Sequence, residues 1–429
     1  MKIKFYLIKS LILSLALIAI FQPAAVRAES TTLTVDEAIA IALRDNRELL
    51  IKAGDLKKAK AKISEAQAGL FPTLDITGSW TYAVDYYTKD FSQYSTQATA
   101  KQYLYKGGKT TNSIAQNKYK LEVSRALLDK AKLETALSVV KSFYAYLLAK
   151  DLAQVNKEIF DNAGQHLKSL EERYLSGQAS ESEILKIKES LSGVEEAYQL
   201  SAGQAETSLV LLKNLLYLDE KLIVKPQGEF LYQPKEINYD EAFLKAMQSR
   251  PEIRQYEAQI KADTKGIGVA KAGNRPNIYA SWDYYTRSHA VAGTASEKNW
   301  NDYSIAGVTF SWPIFDGWAT RAKVEQAIVD LRSSRLNKEK ALQDVTLDLK
   351  NAYVGLKDAI AKIKTSESDI IFYQDDLSGV KEKHQQGIAS FLDLDDANLR
   401  YNISQFNHRQ AIYDYIVAKA NFEKATGGF

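Results

Sequence analysis

Residues Thr73–Tyr86 read TLDITGSWTYAVDY. Leu74, Ile76, Trp80, Tyr82, Val84 and Tyr86 fall on one face of an extended chain, and Thr73, Asp75, Thr77, Ser79, Thr81 and Asp85 fall on the other. Alternation of period two over more than ten residues has the length and pattern of a membrane-spanning β-strand. Ile278, Ala280, Trp282 and Tyr284 repeat the pattern, as do Ala306, Val308, Phe310 and Trp312. A weaker strand near 92–104 is placed by its position. All five tryptophans (80, 282, 300, 312 and 318) lie in or beside these segments. Trp80, Tyr82, Trp282, Trp300 and Trp312 are therefore candidate membrane-interface aromatics. A half-buried soluble sheet with aromatic packing is the competing reading.

Four strands cannot close a barrel, since the smallest membrane barrels use about eight. An open sheet edge is not viable in lipid, because its backbone groups would find no partners there. If these strands span a membrane, protomers must share one barrel: two would supply eight strands and three would supply twelve.

Outward from the strands the period changes. Pro72 and Pro276 close helical segments and Pro313 closes a strand, and no proline lies between Thr73 and Lys225 or after Pro313. Leu133, Leu137, Val140, Tyr144 and Leu147 step by three and four. So do Leu342, Val345, Leu349, Tyr353, Leu356, Ile360 and Ile363. Such a seam predicts long coiled-coil-like helices over 106–175 and 317–386. Gly177 and Gly387 predict tight reversals into helices 178–217 and 389–426. Each long helix would span about 100 Å, which its returning helix and the pre-strand helix (48–70 or 250–272) nearly match end to end.

The order repeats. Asp36, Glu37, Ala38, Ala42 and Glu48 match Asp240, Glu241, Ala242, Ala246 and Glu252 at an offset of 204, as Gly69 and Pro72 match Gly273 and Pro276. Beyond the strands the offset becomes 210, pairing Gly107 with Gly317 and GQAS at Gly177 with GIAS at Gly387. An ordered series of this kind reads as an internal two-fold repeat. The first copy spans 29–236, with strands within 72–105. The second spans 237–429, with strands within 276–313.

Composition narrows the function. The 429 residues include no Cys and only His166, His289, His384 and His408, which argues against disulfides, a thiolate metal site or a Cys nucleophile. Lys2, Lys4 and Lys9 precede an apolar run from Leu11 to Phe21, and Val26-Arg27-Ala28 suits cleavage, so 1–28 reads as a signal peptide. Its removal takes four basic residues from a chain of formal charge +3, leaving no electrostatic case for nucleic acid. GGKT at Gly107–Thr110 lacks the earlier glycine of a phosphate loop, and Gly266-Ile-Gly268 lacks the third glycine of a dinucleotide fingerprint. No nucleophile elbow or zinc-protease helix occurs, so the expectation is a non-enzyme without cofactor or metal.

The duplicated order, YKGG at Tyr105–Gly108, PIFDGW at Pro313–Trp318 and HQQGIASFLDLDDANL at His384–Leu399 resemble the TolC-like outer-membrane efflux protein family across essentially the whole mature chain. The resemblance implies an α+β membrane protein: a homotrimer with a shared 12-stranded β-barrel, four strands per protomer, continuous with a long α-helical coiled-coil barrel. It implies a mixed equatorial region over 30–47 and about 218–249, and location in the outer membrane with a large periplasmic extension. The implied function is a passive exit duct of a tripartite efflux or type I secretion system, coupled through a periplasmic adaptor to an inner-membrane efflux pump or ABC exporter.

Asp393, Asp395 and Asp396 follow the Gly387 reversal, at the end far from the strands. Asp393 and Asp396 share a helix face, and in a threefold assembly an inward Asp becomes a carboxylate ring that selects cations. A solvated helix turn whose acids favour the dipole is the alternative. The resemblance matches Asp393 and Asp396 to the family's two aspartate rings at the channel entrance. It places His384 where members often hold an aromatic gate residue, and Ala389 where some hold a locking arginine. The tip turns at Gly177, Gly387, Ala389 and Ser390 are the expected adaptor contacts. A secreted coiled-coil tether or adhesin, or a periplasmic adaptor, remain alternatives that need no lipid-facing strands.

Overall fold

The computed structural model describes residues 31–86, 89–234, 237–291 and 300–428; the expected signal peptide, 1–28, lies outside them. Strand β1 (Thr31–Leu33) leads into helices α1 (Val35–Asp45) and α2 (Arg47–Ala68), then strands β2 (Thr73–Tyr86) and β3 (Lys89–Lys106). The long helix α3 (Lys109–Leu175) and its return α4 (Glu181–Leu215) follow. Strand β4 (Val224–Pro226) precedes α5 (Tyr239–Ser249), α6 (Pro251–Lys271) and a 3-10 turn at Ala272–Asn274. Strands β5 (Asn277–Val291) and β6 (Trp300–Ser311), long helix α7 (Ala319–Gln385) and return α8 (Phe391–Ala425) complete the chain.

The departures from the expected bounds have local causes. The long helices begin at 109 and 319 rather than 106 and 317, because the two residues before each are left-handed and cannot be helical. The returns begin at 181 and 391 because Ser180 and Ser390 sit extended and cap them. Strand β3 exceeds 92–104 at both ends, and its outward row of Ser92, Tyr94, Thr96, Ala98 and Ala100 explains its faint pattern. The equatorial segments contain a parallel strand pair that periodicity did not predict, with Thr31 opposite Val224 and Leu33 opposite Pro226.

The helices form a wall. Helix α3 packs against α2 and α4 on one flank and against α6 and α8 on the other, while α7 packs against α6 and α8. Both long helices have 67 residues and both returns 35, so each long helix is about 100 Å tall and each return covers about half of it. The seam residues do the packing: Leu137, Val140 and Leu147 are buried on α3, and Val345, Leu349, Leu356 and Ile363 on α7. One core cluster joins Leu33, Ala38, Ala42, Val139, Phe143, Leu212, Leu216 and Val224, where the short strand pair and α1 meet α3 and α4.

Every left-handed backbone position among the described residues belongs to a pair 210 residues apart. These are Gly107 with Gly317, Gly108 with Trp318, Gly177 with Gly387, and Tyr217 with Gly427. Two of the eight are not glycine. Their φ values of 70° at Trp318 and 54° at Tyr217 put a Cβ close to the following carbonyl, a cost of about 1–2 kcal/mol each.

The joints between short helices are also paired, at offset 204. Asn46 is buried between α1 and α2, and its Oδ1 accepts from the backbone N–H groups of Glu48 and Leu49 at 2.9 and 3.2 Å. Arg250 stands between α5 and α6 with the same extended backbone and Pro251 at the first helical position. Its side chain is 3% exposed and reaches outward, donating to Lys424 O and to Asp348 Oδ2, both at 3.1 Å, and pairing with Glu252 at 3.1 Å. The guanidinium thus neutralises the carbonyl end of α8, where the helix dipole is negative.

Candidate functional site

The sheet runs β2-β3-β5-β6, wholly antiparallel, and among the described residues β2 and β6 are left unpaired along their outer edges. Register places Leu74, Ala100, Trp282 and Ala306 in one row and Trp80, Tyr94, Ser288 and Trp300 in another. One face carries Leu74, Ile76, Val84, Val308 and Phe310, which are between 62% and 73% exposed. Bare apolar side chains in a band across one sheet face mark a surface that something apolar covers.

The opposite face is polar and self-bonded. Ser79 and Ser95 share a hydrogen bond of 2.8 Å across β2 and β3. Asp283 Oδ1 accepts from Thr99 Oγ1 at 2.6 Å and from Gln97 Nε2 at 3.0 Å, and Gln97 also donates to Tyr285 Oη. Lys101 lies 3.9 Å from the Tyr279 ring centroid. Arg287 lies over Tyr285 and Tyr303, which stack at 4.9 Å. Charge alternates along this face: Lys101 in one row, Asp75 and Asp283 in the next, Arg287 two rows further.

The aromatics predicted for the interface stand on the apolar side of the sheet. Trp80 packs against Tyr82 and Tyr94, each with ring centroids 6.5 Å apart. Trp282 stacks on Tyr284 nearer the helical wall. Trp300 begins β6 in the Trp80 row, and Trp312, just past its end, donates its indole N–H to Asn274 O at 3.1 Å. Where sheet meets wall, the two glycines of Gly266-Ile-Gly268 have a packing role. A Cβ on Gly268 would come 2.7 Å from Asn112 Cγ, and one on Gly266 2.8 Å from Gln116 Nε2. They let α6 approach α3.

At the opposite end, both hairpins reverse through a left-handed glycine. Gly177 N donates to Tyr174 O and Gln178 N to Arg173 O; Gly387 N donates to His384 O and Ile388 N to Lys383 O. Ser390 and Asp393 form a capping box. Asp393 Oδ2 accepts from Ser390 N at 2.8 Å and Ser390 Oγ at 2.7 Å, and Asp393 N donates back to Ser390 Oγ. The Ser390 hydroxyl, then its amide, holds the Asp393 carboxyl below the usual carboxylate range. Asp396, one turn on, is 65% exposed and 3.9 Å from Arg400, a pair worth little in water. Partial desolvation and the Asp396 charge push Asp395 upward.

His384 Nδ1 lies 3.0 Å from Ala389 O. A carbonyl only accepts, so this contact places the proton on Nδ1. The reversal therefore gathers His384, Ala389, Ser390 and Asp393, while Asp396 sits beyond it. Two features of the hairpins, one near the tip and one further along the wall, gave no sequence signal. Burial, then Arg173 and His384, lowers the pKa of His166. Arg409 of α8 pairs with Asp151 of α3 at 3.0 Å, joining the two hairpins. Spacing cannot reveal such a pair, because its partners are far apart in the chain.

Comparison with known proteins agrees with this geometry. A family model described as outer membrane efflux protein matches residues 38–216 and 244–428. The cation efflux system protein CusC of Escherichia coli K12 is 23% identical over 398 residues, covering 90% of this chain and 83% of CusC. The outer membrane protein TolC of Vibrio cholerae is 21% identical, covering 90% of this chain and 89% of TolC. The crystal structure of the Campylobacter jejuni CmeC outer membrane channel superposes with a TM-score of 0.75 at 18% identity, covering 92% of this chain and 85% of CmeC. That likeness establishes a shared helix-rich α+β fold.

Proposed function

The chain belongs to the outer membrane efflux protein family, whose members are transport channels and not enzymes, and on that premise we propose a passive homotrimeric exit duct. It is an outer-membrane protein with a large periplasmic helical part. The proposed duct joins a periplasmic adaptor and an inner-membrane pump or ABC exporter, and solutes cross it by diffusion without a chemical step.

One observation carries the reading: a four-stranded sheet with two unpaired edges, a bare apolar face and a hydrogen-bonded polar face. Lipid tolerates no open edge, so β6 of one protomer pairs with β2 of the next until the ring closes. Three copies give a twelve-stranded barrel. The apolar band supports a tilted sheet. On β2 it continues through Trp80 and Tyr82 to Val84, whereas in the same direction β6 already turns outward Ser304 and Asp302. A band oblique to the rows is what strands tilted by about 35–45° require. Of the expected interface aromatics, Trp312 and Trp300 then stand toward its two margins, with Trp80, Tyr82 and Trp282 inside the band.

The helical wall closes the same way. Ile328, Val329, Leu336 and Leu347 of α7 are exposed, as are Leu50, Ile51, Leu200 and Leu211 on the α2 and α4 flank. The left-handed pairs at 210 support two copies of one unit, so the trimer would hold six similar units. At the tip, Asp393 and Asp396 become rings at the narrow entrance, with His384 bracing the turn. Gly177, Gly387, Ala389 and Ser390 form the adaptor-facing knuckles.

Single-channel conductance in planar bilayers tests this reading, comparing the wild type with Asp393→Asn/Asp396→Asn. Cation-selective openings that lose selectivity in the variant are expected. Unchanged selectivity removes the aspartates from the entrance, and a protein that never conducts overturns the duct.

A further inference from the structure

The apolar face of the sheet does not stop at β6. Past Trp312 the chain carries Ile314, Phe315 and Trp318, which are 86%, 71% and 64% exposed. Phe315 meets Trp318 edge-on with ring centroids 5.7 Å apart, and Arg321 lies 5.7 Å from the Trp318 ring. Trp318 is left-handed at φ 70°, where the other half of the chain has Gly108 at φ 80°. The turn itself asks only for glycine. A bulky indole held strained in a glycine position, and left uncovered by its own chain, points to a role outside the protomer.

We infer that Ile314, Phe315, Trp318 and Arg321 form a collar that seats phospholipid of the periplasm-facing leaflet, with Arg321 at the headgroup phosphate. This rests on the reading of the sheet as a lipid-facing barrel. Two observations choose lipid over other occupants. The cluster continues the apolar row of Val308, Phe310 and Trp312 at the end of the sheet nearest the helical wall. It also combines indole, aliphatic and guanidinium groups, whose apolar bodies and polar ends suit the boundary between acyl chains and headgroups. A cation complements the phosphate there, as it would not complement a second apolar surface.

The test uses the full-length protein reconstituted in vesicles of phosphatidylethanolamine and phosphatidylglycerol brominated at shallow or deep acyl positions. One variant keeps only Trp318, with Phe at 80, 282, 300 and 312; a companion keeps only Trp282. Both should be quenched, Trp318 more strongly by the shallow bromines. A quenched Trp282 beside an unquenched Trp318 overturns the collar and leaves the barrel standing, with a second copy or water covering Trp318. If neither is quenched, the barrel reading fails and the collar with it. Trp318→Gly in the otherwise native chain gives an independent measure. It should lose quenchable emission relative to the wild type, and no loss overturns the inference.

Discussion

Tyr217 and Gly427 stand 210 residues apart and hold the same left-handed turn, φ 54° and 78°, just past the ends of α4 and α8. Both close the turn in the same way: Leu218 N reaches back to Lys213 O at 3.0 Å, and Gly428 N to Glu423 O at 3.0 Å. Tyr217 recovers part of its strain through Arg47, which lies 5.2 Å from its ring. Gly427 has no such room. A Cβ there would lie 2.6 Å from Ser249 Oγ and 3.0 Å from the Ser249 carbonyl carbon.

Alanine at the left-handed glycines should therefore rank by surroundings. Gly177→Ala and Gly387→Ala meet nothing within 4 Å and should each cost only the backbone term, about 1–2 kcal/mol. Gly427→Ala adds a clash and should cost more. Thermal loss of helical circular dichroism in detergent reads the order, and equal melting for all three would refute it.

Arg250→Met should be among the most damaging single changes in the wall. It leaves the Glu252 carboxylate, 16% exposed, with only Lys130 at 3.8 Å, and takes the guanidinium donor from the Lys424 carbonyl. Removing one member of a buried pair costs about 3–5 kcal/mol. Adding Glu252→Gln should restore part of the loss. A double variant no more stable than the single would show that the pair contributes nothing beyond packing.

Ser390→Ala breaks the capping box and should cost about 1 kcal/mol locally, roughly a fivefold faster amide exchange at the start of α8. Exchange measured by mass spectrometry on peptides covering 391–396 checks this. Exchange that is unchanged there would mean that the cap is not formed in solution.

The tip should loosen in mild acid through His166. Its folded pKa lies below the ordinary value of about 6.5. The unfolded state therefore binds more protons in that window, and stability falls as pH drops below the ordinary value. Asp393 has the usual carboxylate sign: its depressed pKa means that the cap's contribution is lost only as pH falls through a value below that of free aspartate. Melting at pH 7.5 and 5.5 should differ for the wild type and differ less for His166→Gln. An identical drop in both would place the acid sensitivity elsewhere.

Ring closure can be read directly, because the chain has no native Cys. Strands β2 and β6 are separated by two strands within a protomer, about 14 Å, too far for an internal disulfide. Ser79→Cys paired in turn with Asn301→Cys, Tyr303→Cys or Ile305→Cys should give, for the matching register, oxidised bands ending at trimer. A ladder continuing above trimer would mean an open filament.

The strands and long helices were legible because their patterns persist. Thr73–Tyr86 alternates throughout, and the Leu133 and Leu342 seams run for several turns without proline. Thr31–Leu33 was not legible, since a three-residue strand has no period and forms only against Val224 from another part of the chain. Ser390 and Asp393 were both singled out, yet their mutual capping bond was not anticipated. Tyr217 gave no signal, because tyrosine is not a turn former and only its partner Gly427 marks the conformation.

The alternating rows on the polar face set how far the wall can act on what passes it. Lys101 precedes the Asp283 row by two residues and Arg287 follows it by four, spacings of about 7 and 13 Å along the strand. These are comparable to the Debye length of about 8 Å at physiological salt. A lining of alternating sign at that pitch cancels itself within a few ångströms of its surface. Toward the axis of the proposed duct it would be electrically silent, leaving a solute neither attracted nor trapped. Discrimination by charge is then left to wherever the passage narrows to the reach of a single side chain.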